Sequence, residues 1–333
     1  MGAQSYFDQL IKPISADAPC GESIEDTQLL SSFDAFRLFG QSLPLDSVED
    51  WREIKTKSLE ALDVCKDYRL AGHLAAAALR IDSLSAFCSI LKASAYWLEN
   101  HWDAVHPRID EDAILRKNAL NSFADRMAII DALRRQPLVT NPQLGSYNLR
   151  DVEIAKGQYT PPESEPKTVT ETEVSAAFLA ATLEELNVLQ AEIQSGMAAL
   201  KSIDNKMRDV GGIEAAPTFD ELLSQMVKID RILTEQIAPR AGAQGAEASE
   251  EAGAGGAAGQ VMGVGGIKSR QDAIRALDAV AGFFRQNEPS SPVPLFIDRA
   301  KRLVAKDFLE VLADIAPDSL DQVKAASGVR NTE

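Results

Sequence analysis

The sequence predicts an all-α protein: a helical N-terminal domain, a middle helical hairpin and a small helical C-terminal oligomerisation domain, joined by flexible linkers. Three observations carry this. Apolar residues recur at three- and four-residue steps over long stretches, which marks amphipathic helices. No alternating apolar/polar run of useful length marks a strand. Two segments, "GQYTPPESEPKTVTE" from Gly157 and the Ala/Gly-rich stretch from Arg240 to Gly266, hold too little apolar surface to offset the entropy of ordering. They divide the chain into a domain over residues 1–156, a linker over 157–172, a hairpin over 173–239, a linker over 240–266 and a C-terminal domain over 267–333.

In the first domain, Leu70, Leu74, Ala77, Ala78, Ile81, Leu84, Leu91 and Leu98 keep the helical rhythm, with one interruption near Asp82 and Ser83. The alanines allow a neighbouring helix to approach closely. Pro107 closes the stretch, because the residue before proline is pushed out of the helical region. Asp110 is expected to cap a further helix whose first turn carries Glu111 and Asp112, acids that suit the positive end of the helix dipole. That helix is expected to continue through Ile114, Leu115, Leu120, Phe123, Met127, Ile130 and Leu133 until Pro137 stops it.

One long helix is expected from Val174, with Leu179, Leu183, Leu186, Leu189, Ile193, Met197, Leu200, Ile203 and Met207 in one stripe. Gly211 and Gly212 end it, and Phe219, Leu222, Met226, Ile229, Leu233 and Ile237 supply the returning helix. In the last domain Ser269 can cap a helix bearing Ile274, Leu277, Val280, Phe283 and Phe284. Ser291 caps the next, with Pro292 in the first turn where a missing amide hydrogen is harmless, and Pro294 stiffens that turn. Val293, Phe296, Ala300 and Leu303 follow, and Phe308, Leu309, Leu312 and Ile315 repeat the device.

Composition excludes several functions. A net charge of −16 is wrong for a general nucleic-acid binder, whose affinity comes from neutralising phosphates, and for anionic membrane surfaces. Three widely spaced cysteines, Cys20, Cys65 and Cys88, offer no disulfide framework, so a reducing cytoplasm is the expected location. There is neither a signal-peptide core nor an apolar run of the ~18 residues a membrane span needs. Catalytic motifs are missing too. "GVGGIKS" from Gly263 places Ile267 between Gly266 and Lys268, where a phosphate-binding loop needs GK adjacent. His101 and His106 are five residues apart, on different helix faces, and Asp110, Glu111 and Asp112 read as a helix start. Trp97 and Trp102 read as core, and the basic "DRAKR" around Arg299, Lys301 and Arg302 as a solvated face. No catalytic, cofactor-binding or metal-ligating residues are therefore expected. On residues alone, a free-standing helical adaptor also fits.

The segments "PISADAPCGESIEDT", "YWLENHWDAVHPRIDEDAILRKNALNSFADR" and "SYNLRDVEIAKG" resemble the ImpA-type N-terminal domain of the TssA family of bacterial type VI secretion systems. The matching residues include Pro19, Gly21, Glu22, Trp102, His106, Pro107, Asp110, Asp112, Arg116, Arg150 and Asp151. The C-terminal "EPSSPVP" before a helix looks like the tail of the short form of that family. The resemblance implies a non-enzymatic assembly factor that forms a ring through its C-terminal region. Its implied partners are baseplate, sheath and inner-tube proteins and, through other proteins, the membrane complex. The short form lacks a large C-terminal extension, which favours a baseplate role.

The residues of the C-terminal segment point the same way. Below ~80 residues a domain buries too little of its own surface, and this one holds more apolar side chains than three short helices can cover. It also has as many basic as acidic residues, so the whole net charge lies elsewhere. Phe283, Phe284, Pro292, Pro294, Phe296, Arg299, Ala300, Arg302, Leu303 and Phe308 are therefore expected at a contact between subunits, and a head-to-tail contact that closes gives a ring.

Overall fold

The computed structural model describes residues 3–39, 48–109, 113–162 and 167–247, and in the C-terminal part Ile274, 277–278, 280–282, Arg285 and 293–304. It divides into two units, Met1–Ala248 and Ser249–Glu333, and the described residues are predominantly helical.

The centre of the first unit is α4 (Tyr68–Ile81) and α5 (Leu84–Asn100). The alanine run is why they can sit there: Ala71, Ala75, Ala76, Ala77 and Ala78 are all fully buried, and a helix apolar on every side belongs in a core. Two helices, α3 (Val48–Leu62) and α6 (Ile114–Asn121), pack on α4, while α1 (Ala3–Leu10) packs on α5. Trp97 fills the α1–α5 contact and donates its indole N–H to the Leu10 carbonyl at 2.9 Å, as its reading as a core residue requires. The expected break falls at Asp82 and Ser83. The Ser83 hydroxyl caps α5, accepting from the Ala86 amide. Asp82 accepts from the Tyr6 hydroxyl and pairs with Lys55, both at 2.7 Å.

Asp110, Glu111 and Asp112 lie outside the described residues. The long helix expected after them is interrupted. After α6 come a 3₁₀ turn at Ser122–Ala124, a turn of π-helix at Arg126–Ile130 and α7 (Asp131–Arg135). Asp125 is the reason: its side chain accepts from the Met127 and Ala128 amides at 3.0 and 2.7 Å, a local alternative to the helical ladder. The phase of the helix changes there. Ile114, Leu115 and Met127, expected in the core, are more than half exposed, whereas Leu120, Phe123, Ile130 and Leu133 are buried.

Where the sequence showed no strand, Pro137–Asn141 (β1) and Gly145–Asn148 (β2) form a short antiparallel hairpin. An irregularity between Pro137 and Val139 leaves Leu138 and Val139 both buried, so the period of two never shows. Its turn is legible in retrospect. Asn141 Oδ1 accepts from the Gln143 and Leu144 amides, and Gly145 takes a φ of 95°. A seven-residue helix, α8 (Leu149–Ala155), follows.

The single helix expected from Val174 is two, α9 (Glu171–Ala180) and α10 (Leu183–Gly211), each opened by a capping box: Thr170 with Glu173, and Thr182 with Glu185. The returning helix, α11 (Asp220–Glu247), runs on past Pro239, so the described part of the Ala/Gly segment is helical. Arg240 donates to the carbonyls of Phe178 and Ala181, fixing the α9–α10 corner to α11. The hairpin is not separate from the first helices, because α10 packs along α5. Gly196 permits the approach: a Cβ there would stand 2.8 Å from Cys88 Sγ and 3.0 Å from Met226 Cε.

In the second unit the described helix is α12 (Val293–Val304). Pro294 lies in its first turn and is buried, as is Ile297, but Leu295 is 73% and Phe296 68% exposed. Arg285 pairs with Asp298 at 2.7 Å, and Lys301 pairs with Asp278. Arg302 and Leu303 lie on the backbone of α12, Ala300 is half-buried and Arg299 exposed. Phe283, Phe284, Pro292 and Phe308 fall outside the described residues.

Candidate functional site

The signature residues of the first domain meet in a clasp of three chain segments. Residues 20–21 pair with 64–66, the Lys66 amide donating to the Cys20 carbonyl at 2.8 Å and Gly21 bridging antiparallel to Cys65. On the other side, Asp67 bridges His106. The His106 amide donates to the Lys66 carbonyl, and the Tyr68 amide to the His106 carbonyl, both at 3.0 Å. The His106 ring closes the circle, with Nε2 3.3 Å from the Gly21 carbonyl. His106–Pro107 is a cis peptide.

Arg116 holds the third segment from beneath. It is fully buried, and among the described residues no carboxylate pairs with it. Its Nε donates to the Pro107 carbonyl and a terminal nitrogen to the Val105 carbonyl, both at 2.8 Å, while the guanidinium lies 4.9 Å from the Trp102 ring centre. Nη1 has no partner among the described residues, and burial lowers the pKa of the guanidinium. Asp67, also fully buried, caps α4 through the Arg69 amide and pairs with the Arg69 guanidinium at 2.7 Å. Lys66 donates to the Leu62 carbonyl at 2.9 Å, and burial lowers its pKa too. Desolvation pushes Cys20 up to about 11 and Cys65 to about 12, so both stay thiols at neutral pH and are poor nucleophiles. The charges of the clasp are thus directed at backbone carbonyls, caps and each other.

Pro19 is half-buried at the edge of this clasp and Glu22 is exposed. Arg150 and Asp151 belong to a second place, the start of α8. Asp151 forms a capping box with Asn148 and pairs with Lys167 at 2.7 Å. Arg150 stacks 5.3 Å from the Tyr159 ring centre. Next to them Glu153 takes Arg134 on one oxygen and Lys228 of α11 on the other, the latter at 2.8 Å. Burial alone would raise Glu153, but hydrogen bonds from Lys228 and Arg134 outweigh it and hold the carboxyl below its ordinary value. A depressed folded value means that the stabilisation is complete above the unfolded value of about 4.5 and is lost as pH falls through the folded one. We expect Glu153→Gln to cost about 1–2 kcal/mol at pH 7, since Lys228 is half exposed and screened. Urea midpoints should show the gap to wild type closing as pH falls below that range.

Sequence reasoning missed Asp67, Lys66 and Asp125, because a single polar residue between apolar runs carries no periodic signal. His101 and His106 are separated as expected, one ending α5 and the other in the clasp. Among the described residues no group of three or more His, Cys, Asp or Glu could hold a metal ion, and no helix is long and apolar enough to cross a membrane.

Beside the clasp opens a groove of about 750 Å³, within the range of small-ligand and peptide sites. Phe33, Phe39, His73, Pro107, Leu115 and Ala119 supply its apolar lining. Arg69 and three acids, Asp26, Asp34 and Asp125, also face it.

Residues 11–133 match the family described as "ImpA, N-terminal, type VI secretion system". The type VI secretion system component TssA1 of Pseudomonas aeruginosa is 26% identical over 339 residues, spanning 96% of this chain and 97% of that one. The solved N-terminal domain that includes the conserved ImpA_N region of the TssA component from Burkholderia cenocepacia has the same fold. It superposes with a TM-score of 0.54 at 20% identity, over 69% of this chain and 93% of that one. The clasp formed by Gly21, His106, Pro107 and Arg116 lies wholly inside the segment, residues 11–133, that matches the ImpA N-terminal family of the type VI secretion system.

Proposed function

We propose that this protein is a non-enzymatic assembly component of a type VI secretion system, acting in the cytoplasm at the baseplate and in tube and sheath assembly. Residues 267–333 hold its copies together in a ring, and the helical body before them docks on baseplate, sheath and inner-tube proteins. Kinship with TssA1 supports the assembly role. The observation that carries the self-association is on α12, where Leu295 and Phe296 stand side by side and more than two-thirds exposed in a segment too small to be stable alone. Burying each such side chain between subunits contributes roughly 1.5–3 kcal/mol, repeated at every contact of a closed ring. Phe296→Asp should therefore reduce the particle mass measured by light scattering to that of small species. An unchanged mass would refute the C-terminal contact, and a monomeric wild type would favour a free-standing adaptor.

A further inference from the structure

We propose that the groove beside the clasp is a docking site for a segment of a partner protein that presents large apolar side chains next to lysine or arginine. The proposal deepens the reading of the protein as an assembly factor, and rests on it for the kind of partner. The buried face of α6 holds Arg116, Ala119 and Leu120, which turns Leu115 outward beside the groove. Leu115 in the lining is 54% exposed, and Leu30 of the same lining is only half-buried. In the same lining the rings of Phe33 and Phe39 stand edge-on to His73, each 4.9 Å between centres. Leucines beside a ring-lined floor are what the apolar face of a short amphipathic helix seats on.

The charge at the groove selects among such helices. The one guanidinium among the described lining residues, Arg69, already pairs with Asp67 at 2.7 Å and faces Glu25 at 3.7 Å. Burial lowers the pKa of His73, which favours the neutral ring. Asp26 and Asp34, by contrast, have no ion pair among the described residues and face the groove. An anionic ligand is repelled there, whereas a cationic apolar segment gains at both its apolar and its charged positions.

The test uses the full chain and two fluorescein-labelled amphipathic peptides of about 15 residues, one of leucine and lysine and the other of leucine and glutamate. Fluorescence anisotropy should show the Leu/Lys peptide binding at least ~10-fold more tightly, with Leu115→Glu and Asp34→Lys each weakening it by about 10-fold. Asp8→Lys, which makes the same charge change at a different surface cavity, should leave it unchanged. Equal binding of the two peptides, binding of neither, or an equal loss in the Asp8 variant overturns the proposal. The last outcome would mean general attraction to an acidic protein. Leu115 is exposed, so an unchanged urea midpoint should show that its variant stays folded. Phe296→Asp leaves the groove intact, so loss of the ring and loss of peptide binding are separately readable.

Discussion

Arg116→Met is expected to lower the unfolding free energy by about 3 kcal/mol. Methionine keeps most of the volume and much of the contact with Trp102, so packing changes little. What disappears is two charge-assisted hydrogen bonds, to the Val105 and Pro107 carbonyls. Both residues are buried, and a carbonyl left without a donor there costs roughly 1–3 kcal/mol. Against this stands the desolvation of the guanidinium, which the folded state no longer bears once the charge is gone. No buried carboxylate among the described residues is stranded by the change, so the net loss falls short of the sum of the two bonds. Arg116→Lys should recover little, because an ammonium is a single point and cannot reach two carbonyls in the fork geometry. All three tryptophans, Trp51, Trp97 and Trp102, lie in this body. Their fluorescence in urea reports its unfolding, and a drop in midpoint on the order of 1 M is expected. A midpoint within experimental scatter of wild type would mean that water or a backbone shift satisfies both carbonyls. The same experiment bears on function, because Pro107 also lines the groove. If Arg116 positions that wall, the variant should lose Leu/Lys peptide affinity at urea concentrations where it is still folded.

The parts of the fold legible in the sequence are those where one residue type decides. The buried alanine face of α4, the break near Asp82 and Ser83 and the stop before Pro137 each follow from a local rule that nothing distant overrides. The misses share a cause as well. Asp125 and Thr182 each have a side chain that accepts from nearby backbone amides and restarts a helix inside what periodicity reads as one, and Thr170 in the same way opens α9 ahead of Val174, where periodicity begins it. The two threonines carry glutamate three residues on, so the capping-box spacing was available and the apolar rhythm masked it. The clasp was legible only as a list. Gly21, His106 and Arg116 could be named from the family pattern, yet their meeting point depends on Lys66 and Asp67, which carry no pattern. The exposed Leu115 was not foreseen, because apolar spacing puts it in the core while α6 buries Arg116, Ala119 and Leu120 instead.

Gly21→Val should have the larger effect, about 4 kcal/mol, enough to leave the first domain marginal. Gly21 has a φ of 74°, a region that costs a β-branched residue at least ~1–2 kcal/mol. The surroundings are worse than the angle. A Cβ at this position would lie 2.1 Å from the Val64 carbonyl oxygen and 3.2 Å from Cys65 Cα. Both are backbone atoms, fixed by the Lys66–Cys20 hydrogen bond at 2.8 Å, so no side chain can swing aside. Room can be made only by parting residues 20–21 from 64–66. That breaks the bridge, withdraws the Gly21 carbonyl from His106 and disturbs Asp67, whose carboxylate caps α4. Gly145→Ala separates strain from collision. Its φ is 95°, but the nearest atom to an added Cβ is 3.6 Å away, so it should lose only about 1 kcal/mol. Measured side by side by tryptophan fluorescence in urea, the two variants should differ by about 3 kcal/mol. Equal losses would mean that the segments at Gly21 part at little cost, and the clasp would then be a loose contact with no hold on the groove beside it.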